Sequence, residues 1–475
     1  MSTSDNSSLL AAESEVQNHS LQLRKELGLS DLILAQILIV IVPEFFGTAV
    51  KAGSSHVVLW LLAILLFFIP HALVVTHLNR LMPLEGGLYE WARLGFGDRI
   101  GFLVAWNMWL NTTAQVSQVA LVATTYTSYA FPGLAWVASD RRVLVATSIG
   151  LIAIMMLVAR LGLSVGKWVS NGGGVITVVV IGVVIILPFV YVWRGRLASY
   201  HPLPMILPPL TLFSLSVFSK MTFGALTGFE YVAVFAGESR NPGRNLTRSI
   251  LLTAPLIALL YILGTSGILA FVSPDAVDVI GPIPEALSRG FALFGLAAPM
   301  VSLVVLLLLM NYLCSYILYF SANTRLPLVA GWDHLLPAWF TRLHPKYRTP
   351  VNSTLFMGGV ALAASMAVLI GAGSQESFVL LQIWAWTFYG FAYLAKFAIP
   401  LFSAKEKGLR PGAWLQIASA SGFLMTLLFV SLSVLPVIPV ASAWAYAMKI
   451  AFVVLGANFL GWMIYRAGQR KSKRA

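Results

Sequence analysis

The sequence predicts an all-α integral membrane protein with about twelve transmembrane helices. Of its 475 residues, 58% are hydrophobic and only 10% are charged, and the mean hydropathy is +0.83. Soluble domains carry about 25% charged residues, whereas a helix that crosses the hydrocarbon core needs about 20 mostly apolar residues. Stretches of this kind, numbered here as spans 1 to 12, lie near residues 31–52, 57–79, 100–130, 142–160, 169–193, 211–236, 249–273, 291–324, 352–371, 376–402, 412–434 and 442–465.

The distribution of positive charge predicts that both termini are cytoplasmic. Most of the 31 lysines and arginines fall on segments that are cytoplasmic when the N-terminus is inside, and short cytoplasmic loops collect positive charge. Arg141, Arg142, Arg194 and Arg196 are the main exceptions. Because the basic residues are spread over loops rather than gathered in one patch, binding of nucleic acid is not predicted. We expect a multi-pass protein of the cell membrane, in contact with membrane lipid.

Neither an enzyme nor a metal site is predicted. The single cysteine, Cys314, lies in an apolar run and cannot form an intrachain disulfide. No clustered nucleophile and base and no metal-ligand spacing such as HExxH are found in the sequence. We therefore expect no cofactor other than a coupling ion.

Two glutamates are the unusual polar residues of the predicted spans. Of the 18 acidic residues, only Glu44 and Glu230 lie well inside a span. An ionisable residue at the centre of a membrane helix costs roughly 2.5 to 3.5 kcal/mol on insertion scales. Both glutamates are therefore predicted to serve function.

The residues around each glutamate predict an interrupted helix. Pro43 precedes Glu44 and removes a backbone donor, whereas Gly224 and Gly228 precede Glu230 and weaken the helix ahead of it. Both glutamates lie in corresponding positions of two five-span halves, in spans 1 and 6, and such a pair of broken segments indicates a transport site at the bilayer midplane. The predicted organisation is a cytoplasmic N-terminal tail (1–30), a transport core (31–402) of two repeats (31–193 and 211–402), two further helices (412–465) and a basic cytoplasmic C-terminal tail (466–475).

Three stretches resemble motifs of the amino acid, polyamine and organocation superfamily. GFEYVAVFAGESRNPGRNLTRS at residues 228–249 resembles the superfamily's sixth-helix motif. LMPLEGGLYEWARLGFGD at residues 81–98 is similar to its loop between helices two and three, and TRLPLVAGWDHLLPAWFTRLHPKYRTPVNS at residues 324–353 is similar to its loop after helix eight. The likeness covers about residues 30–400.

The resemblance implies a five-plus-five inverted repeat with discontinuous helices 1 and 6, followed by two C-terminal helices. It also implies secondary active transport by alternating access, of amino acids and sometimes of polyamines. Glu238 and Arg244, at the end of the sixth-helix motif, are implied to lock helix ends through charge pairs and to act in gating.

The sequence departs from this family at span 1. Amino acid transporters of the superfamily usually carry a Gly-x-Gly turn there, whose N–H groups hold the substrate carboxylate, but residues 43–49 read PEFFGTA. An ionised Glu44 would repel a substrate carboxylate by several kcal/mol at close range, about 4 kcal/mol at 4 Å and a dielectric of about 20. Either Glu44 is protonated or the substrate end that meets it is cationic. Plant and protozoal polyamine porters have a comparable glutamate, although they tend to have an acidic residue in helix three where this chain has Gln115.

The sequence favours a cationic amino acid or a polyamine as the substrate of the predicted transporter. A neutral amino acid permease, a substrate exchanger, and a nutrient receptor that does not transport remain alternatives. We expect proton coupling through Glu44 and Glu230, with sodium as the alternative, and the sequence does not indicate an oligomeric state. The predicted substrate-binding residues are Glu44, Phe45, Gly47, Thr48, Gln115, Thr227, Gly228, Phe229, Glu230 and Tyr231.

Two further polar residues lie inside predicted spans. His71 in span 2 is expected to be a hydrogen-bonded packing residue, because a single membrane histidine usually is. Lys220, in the outer half of span 6, could pair with Glu44, but it is expected instead to extend its ammonium group toward the membrane surface.

Overall fold

The structure is a computed structural model, and every secondary-structure element that it describes is helical. It describes residues 28–81, 87–161, 166–230, 242–292, 294, 297–329, 338–345, 349–370, 372–403 and 411–472.

The described helices follow the predicted spans. Span 1 is divided into two helices, span 2 contains a π-helical turn at Ile64–Phe68, and span 3 is interrupted by one residue, Gln118. The bounds are Leu29–Val40 and Glu44–Val50 (span 1), His56–Leu81 (span 2), Asp98–Ser117 and Val119–Ala130 (span 3), Arg141–Leu161 (span 4), Gly166–Trp193 (span 5), Leu212–Ala225 (span 6), Pro242–Leu269 (span 7), Ala297–Asn323 (span 8), Val351–Leu369 (span 9), Ser374–Ala398 with a π-turn at Ile399–Ser403 (span 10), Ala413–Leu432 (span 11) and Ala443–Ser472 (span 12).

The predicted class, an all-α membrane protein, is confirmed. Within the described residues, 9 helices are long and apolar enough to cross a membrane, and there are 10 when the two bent halves of span 1 are counted as one. Spans 3 and 6 fall outside this count for separate reasons. Span 3 carries polar residues such as Asn107, Asn111 and Gln115, and the predicted continuation of span 6 enters residues 231–241, which lie outside the described part of the chain.

Shorter helices connect the spans. The loop after span 2 contains a helix at Gly87–Phe96, and the connection between spans 7 and 8 contains one at Pro282–Phe291. Further short helical segments are Gly53–Ser55, Pro132–Ala138, Leu326–Val329 and Ala338–Thr341.

Span 10 lies at the centre of the bundle. In its most apolar stretch 83% of the residues are buried, against 17% in span 12. Span 10 packs on spans 3, 11 and 12, and span 3 packs in turn on spans 8 and 9. The first half of span 1 packs on spans 5 and 7, and its second half packs on spans 6 and 7. This arrangement brings the two interrupted spans together inside the bundle.

Glycines in span 5 allow its close approach to span 1. A Cβ on Gly174 would lie 2.5 Å from the carbonyl oxygen of Leu34, and a Cβ on Gly173 would lie 2.9 Å from the Leu38 side chain. Contacts this short between a Cβ and a backbone oxygen do not occur in folded proteins, because the atoms overlap. The glycines at these positions therefore determine how near span 1 can come to span 5.

Candidate functional site

Span 1 is broken immediately before Glu44. Its first half ends at Val40, its second half begins at Glu44, and the two halves are bent by 56°. The Tyr261 hydroxyl of span 7 donates to the Val40 carbonyl at 3.1 Å and accepts from the Val42 N–H at 3.0 Å. Tyr261 thus replaces helical hydrogen bonds that the break removes, and the predicted interruption of span 1 at its glutamate is confirmed.

Span 6 unwinds before Glu230. Its helix ends at Ala225, and Gly228 has a φ of +113°, which L side chains rarely adopt. The Gly228 N–H donates to the hydroxyl of Tyr393 at 2.9 Å, so span 10 holds this extended segment. Residues 231–241 lie outside the described part of the chain.

A cavity of about 70 Å³ lies between the two breaks. A cavity needs about 10 to 15 Å³ to hold one water molecule, so this one is large enough to be occupied. All of its lining residues belong to the part of the chain that the structure describes. None of them is an aspartate, glutamate, lysine, arginine or histidine. They are Leu38, Ile39, Ile41, Val42 and Pro43 of span 1, Gln115, Gln118 and Tyr126 of span 3, Thr227 and Gly228 of span 6, Leu308, Asn311, Tyr312, Ser315, Tyr316 and Tyr319 of span 8, and Gln382, Trp386 and Tyr389 of span 10.

Several polar atoms of these lining residues are unpaired. The side-chain oxygens of Gln118 and Asn311 accept no hydrogen bond from a described residue, and the hydroxyls of Tyr126 and Thr227 likewise have no partner there. By contrast, the Gln118 amide nitrogen donates to Tyr316 at 2.8 Å. Buried polar atoms without partners are costly, so these atoms are available to a ligand or to water in the cavity.

Glu44 is the unpaired carboxylate beside this cavity. Its side chain is 1% exposed, and neither carboxylate oxygen receives a hydrogen bond from a described residue. Tyr126, Tyr312 and Tyr316 interact with it electrostatically, and all three line the cavity. Tyr312 is within reach of the carboxylate, although its hydroxyl is paired with that of Tyr316 at 2.6 Å. Tyrosines thus connect Glu44 to the cavity.

Glu230 has the opposite environment, because several groups hold its carboxylate. The Tyr393 hydroxyl lies 2.7 Å from Oε1 and 2.6 Å from Oε2, and the Tyr389 hydroxyl donates to Oε1. His71 Nε2 lies 3.1 Å from Oε2. Glu230 is 3% exposed, and spans 2, 6 and 10 therefore meet at a single buried carboxylate.

The hydrogen bonds of His71 define where its protons lie. Its Nδ1 is 3.0 Å from the Leu226 carbonyl, which can only accept, so Nδ1 carries a proton. The contact between Nε2 and Glu230 then needs a second proton, on either the imidazole or the carboxyl group. The contact between Nε2 and Oε2 is therefore a hydrogen bond only when one of the two groups carries that proton.

Lys396 lies beside the same carboxylate. Its Nζ is 3.8 Å from Glu230 Oε2 and 3.2 Å from the centroid of the Tyr393 ring, and it makes no hydrogen bond to a described residue. The side chain is fully buried. A cation held over an aromatic face and beside a carboxylate is stabilised by both. Lys396 is thus the counter-charge of Glu230.

Tyr389 joins this network to the cavity. It lines the cavity, and its hydroxyl donates to Glu230. Gly228 makes the same connection through the backbone, because it lines the cavity and is bonded to Tyr393. A molecule in the cavity therefore contacts groups that hold Glu230 without touching Glu230 itself.

The sequence matches a family model described as amino acid permease over residues 27–457, which is most of the chain. The chain belongs to this family, within the amino acid, polyamine and organocation superfamily. The expected membership is confirmed, and the permease is a membrane transporter rather than an enzyme.

Among its relatives, the permease is 29% identical over 356 residues to an uncharacterized transporter of Legionella pneumophila, covering 74% of this chain and 75% of the relative. It is 27% identical over 247 residues to the probable agmatine/putrescine antiporter AguD of Lactococcus lactis, covering 52% of each chain. It is 25% identical over 392 residues to the branched-chain amino acid permease BcaP of Bacillus subtilis, covering 76% of this chain and 80% of the relative.

The predicted site residues of the permease fall into four groups. Gln115, Thr227 and Gly228 line the cavity. Glu44 and Glu230 are buried beside it and contact lining tyrosines. Tyr231 and Glu238 lie outside the described residues, as does the side chain of Arg244.

The remaining predicted residues pack between helices. Phe45 lies edge-on to Trp386 with ring centroids 5.3 Å apart, and Phe229 is stacked on Phe68 at 4.8 Å. A Cβ on Gly47 would lie 3.0 Å from the Cα of Val279, and Thr48 is 5% exposed. None of these four predicted residues is among those that line the cavity.

Sequence reasoning missed the tyrosine pairs and Lys396. Tyr312 and Tyr316 in span 8, like Tyr389 and Tyr393 in span 10, are spaced four residues apart and therefore share a helix face. This repeated spacing was the available signal. Lys396 lies near the end of predicted span 10, where a lysine is ordinarily taken for charge at the membrane surface, so nothing in the sequence alone marks it as buried.

The two lesser expectations have different outcomes. His71 is buried and hydrogen-bonded, as expected, but its partner is the functional candidate Glu230. The expectation for Lys220 was wrong, because its side chain is 2% exposed and its ammonium group donates to the carbonyls of Leu432 and Leu435 at 3.0 and 2.6 Å. The charge of Lys220 thus lies at the C-terminal end of span 11, where the helix dipole stabilises a cation.

Proposed function

We propose that this permease carries a cationic amine, either a cationic amino acid or a polyamine, by alternating access through the cavity between the breaks. The observation that carries this proposal is the Glu44 carboxylate, which is buried, receives no hydrogen bond from a described residue and contacts the tyrosines of the cavity wall. Burying an unpaired charge is costly. An ammonium group in the cavity would supply the missing counter-charge.

The cavity wall supports a donor ligand. The unpaired oxygens of Gln118 and Asn311 accept hydrogen bonds, and an ammonium group donates them. Tyr126 and Trp386 also line the cavity, and aromatic rings attract cations. No described lining residue offers a positive charge to a substrate carboxylate. A polyamine has no carboxylate, so it fits the cavity better than a cationic amino acid does.

A neutral amino acid is the second candidate. It is favoured by the similarity to the branched-chain amino acid permease, which extends over more of the chain than the similarity to the agmatine/putrescine antiporter. A zwitterion would need the backbone N–H groups of the break in span 1 for its carboxylate, together with a protonated Glu44.

Proton coupling follows from the same carboxylate. A proton would neutralise the Glu44 carboxylate, and an amine would pair with its negative charge. The two cations compete for the same carboxylate. Binding of the amine therefore releases the proton, and the two cations move in opposite directions. We propose exchange of proton for amine, in the cell membrane and with both termini cytoplasmic.

Uptake into proteoliposomes tests the substrate. Labelled putrescine, arginine and leucine are offered separately to the purified permease. We expect putrescine or arginine to be taken up and leucine to be excluded, because only the first two bring excess positive charge to Glu44. Uptake of leucine alone would establish the neutral amino acid candidate and reject the amine.

The pH gradient and a matched pair of variants test the coupling. An acidic vesicle interior should drive amine uptake in the native protein, and Glu44→Gln should abolish that dependence because glutamine binds no proton. Glu376→Gln is the control, since it removes a carboxylate that pairs with Lys449 at 3.0 Å, away from the cavity. Exchange is refuted when an acidic exterior drives uptake, or when both variants keep the native response.

A further inference from the structure

A second pocket lies at the surface, where the beginning of span 3 meets the end of span 12. Its volume is about 300 Å³. Span 12 is the most exposed of the apolar spans, and its last two turns contribute most of the pocket wall. The lining residues are Arg99, Trp462, Tyr465, Arg466, Gln469 and Arg470.

The pocket is strongly basic. Arg99, Arg466 and Arg470 contribute three guanidinium groups, no carboxylate is among the lining residues, and none of the three forms an ion pair with a described residue. The Arg466 guanidinium lies 4.5 Å from the centroid of the Trp462 ring. This contact fixes its place without neutralising its charge. The pocket therefore presents uncompensated positive charge to an anion.

An apolar track leads to the pocket along span 12. Phe452, Leu455 and Phe459 are 79%, 66% and 59% exposed, and their spacing of three and four residues places them on one helix face. Trp462 and Arg466 continue that face into the pocket. Trp462 and Tyr465 stand between the apolar and basic parts, and such rings are enriched at the level of the lipid headgroups.

We propose that this pocket binds an anionic phospholipid. The guanidinium groups of Arg99, Arg466 and Arg470 hold the phosphate, because arginine pairs with phosphate oxygens through two parallel hydrogen bonds. An acyl chain lies against Phe452, Leu455 and Phe459. Because the basic pocket adjoins an exposed apolar face, an anion with acyl chains would contact both surfaces, whereas a soluble anion would contact only the pocket.

Native mass spectrometry of the full-length permease in detergent tests this site. Phosphatidylglycerol and phosphatidylcholine with the same acyl chains are titrated separately. We expect phosphatidylglycerol to bind more tightly, and the combined Arg99→Gln, Arg466→Gln and Arg470→Gln variant to bind it about 10- to 100-fold more weakly. Binding of phosphatidylcholine should not change.

The control variant removes the same charge from the opposite end of the bundle. Arg141→Gln, Arg142→Gln and Arg194→Gln replace three exposed arginines at the start of span 4 and the end of span 5, and phosphatidylglycerol binding should survive this change. Equal loss in both variants, or equal binding of the two lipids, would refute the site. Displacement of phosphatidylglycerol by glycerol phosphate at similar concentration would refute the lipid and establish a soluble phosphate ligand.

Discussion

At the scale of single residues, the two membrane glutamates differ in how their charge is compensated. Glu44 receives no hydrogen bond from a described residue, whereas Glu230 is held by two tyrosines, a histidine and a lysine. A group that lacks partners gains most from a ligand. We therefore expect Glu44 to gain more than Glu230 from binding a cation.

Removing the fixed counter-charge should destabilise the permease. Lys396→Met leaves Glu230 with less compensation, and breaking a buried ion pair costs about 3 to 5 kcal/mol. The midpoint of thermal unfolding in detergent measures the effect. Lys449→Met is the control, because its pair with Glu376 is partly exposed and contributes only about 0 to 1 kcal/mol.

Adding Glu230→Gln tests whether the two residues act as a pair. The double variant should be less destabilised than the sum of the two single variants, because no unpaired charge is left behind. Additive losses would show that Lys396 contributes by packing on Tyr393 and Phe397 rather than through Glu230.

At the scale of helices, the break in span 1 depends on its neighbours in spans 5 and 7. The Tyr261 hydroxyl serves both sides of the break, and Gly174 lets span 5 lie against Leu34. Proline and glycine in the sequence explain why the helix can break, but the partners across the bundle determine the geometry of that break.

Tyr261→Phe should lower the stability of the interrupted segment of span 1 without changing its backbone conformation. The Val40 carbonyl and the Val42 N–H lose their partner, and a buried group left unpaired costs about 1 to 3 kcal/mol. We expect a lower unfolding midpoint and slower uptake. The control is Tyr200→Phe, which removes one hydrogen bond to Ser266 and should have the smaller effect. Equal effects of the two substitutions would show that Tyr261 does not stabilise the break specifically.

Gly174→Ala tests the contact between spans 1 and 5. The new methyl group would overlap the Leu34 carbonyl at 2.5 Å, and overpacking of this kind costs about 1 to 3 kcal/mol. Gly182→Ala is the matched control in the same span, because its Cβ would meet nothing within 4 Å. It should be neutral or stabilising by up to about 1 kcal/mol. A native unfolding midpoint for Gly174→Ala would contradict the close approach.

At the scale of the whole molecule, composition was enough to predict the helical membrane class. The flanking Pro43 and Gly228 also predicted where span 1 is interrupted and where the described helix of span 6 ends. The tyrosine wall was not predictable to the same degree, because most membrane tyrosines pack or lie at interfaces and only the folded bundle reveals which ones face a common space. Burial of Lys396 depends on the Glu230 carboxylate, and burial of Lys220 depends on carbonyls at the end of span 11 and just beyond it, and a linear sequence does not specify either contact.

Cysteine labelling in cells tests the predicted orientation. In a Cys314→Ser background, Ser199→Cys, in the exposed loop after span 5, should react with a membrane-impermeant reagent from outside. Gln469→Cys, at the end of span 12, should react only after the membrane is permeabilised. The reverse pattern would place both termini outside and would overturn the prediction from positive charge.

The bonds of Glu230 have a mechanical consequence. Because His71, Glu230, Tyr389 and Tyr393 belong to three spans joined at one carboxylate, spans 2, 6 and 10 are tethered to one another at the depth of the cavity. Among the described residues, the break in span 1 is tethered by hydrogen bonds of Tyr261 alone. A movement of span 1 would therefore break fewer of these hydrogen bonds than a movement that separates spans 2, 6 and 10.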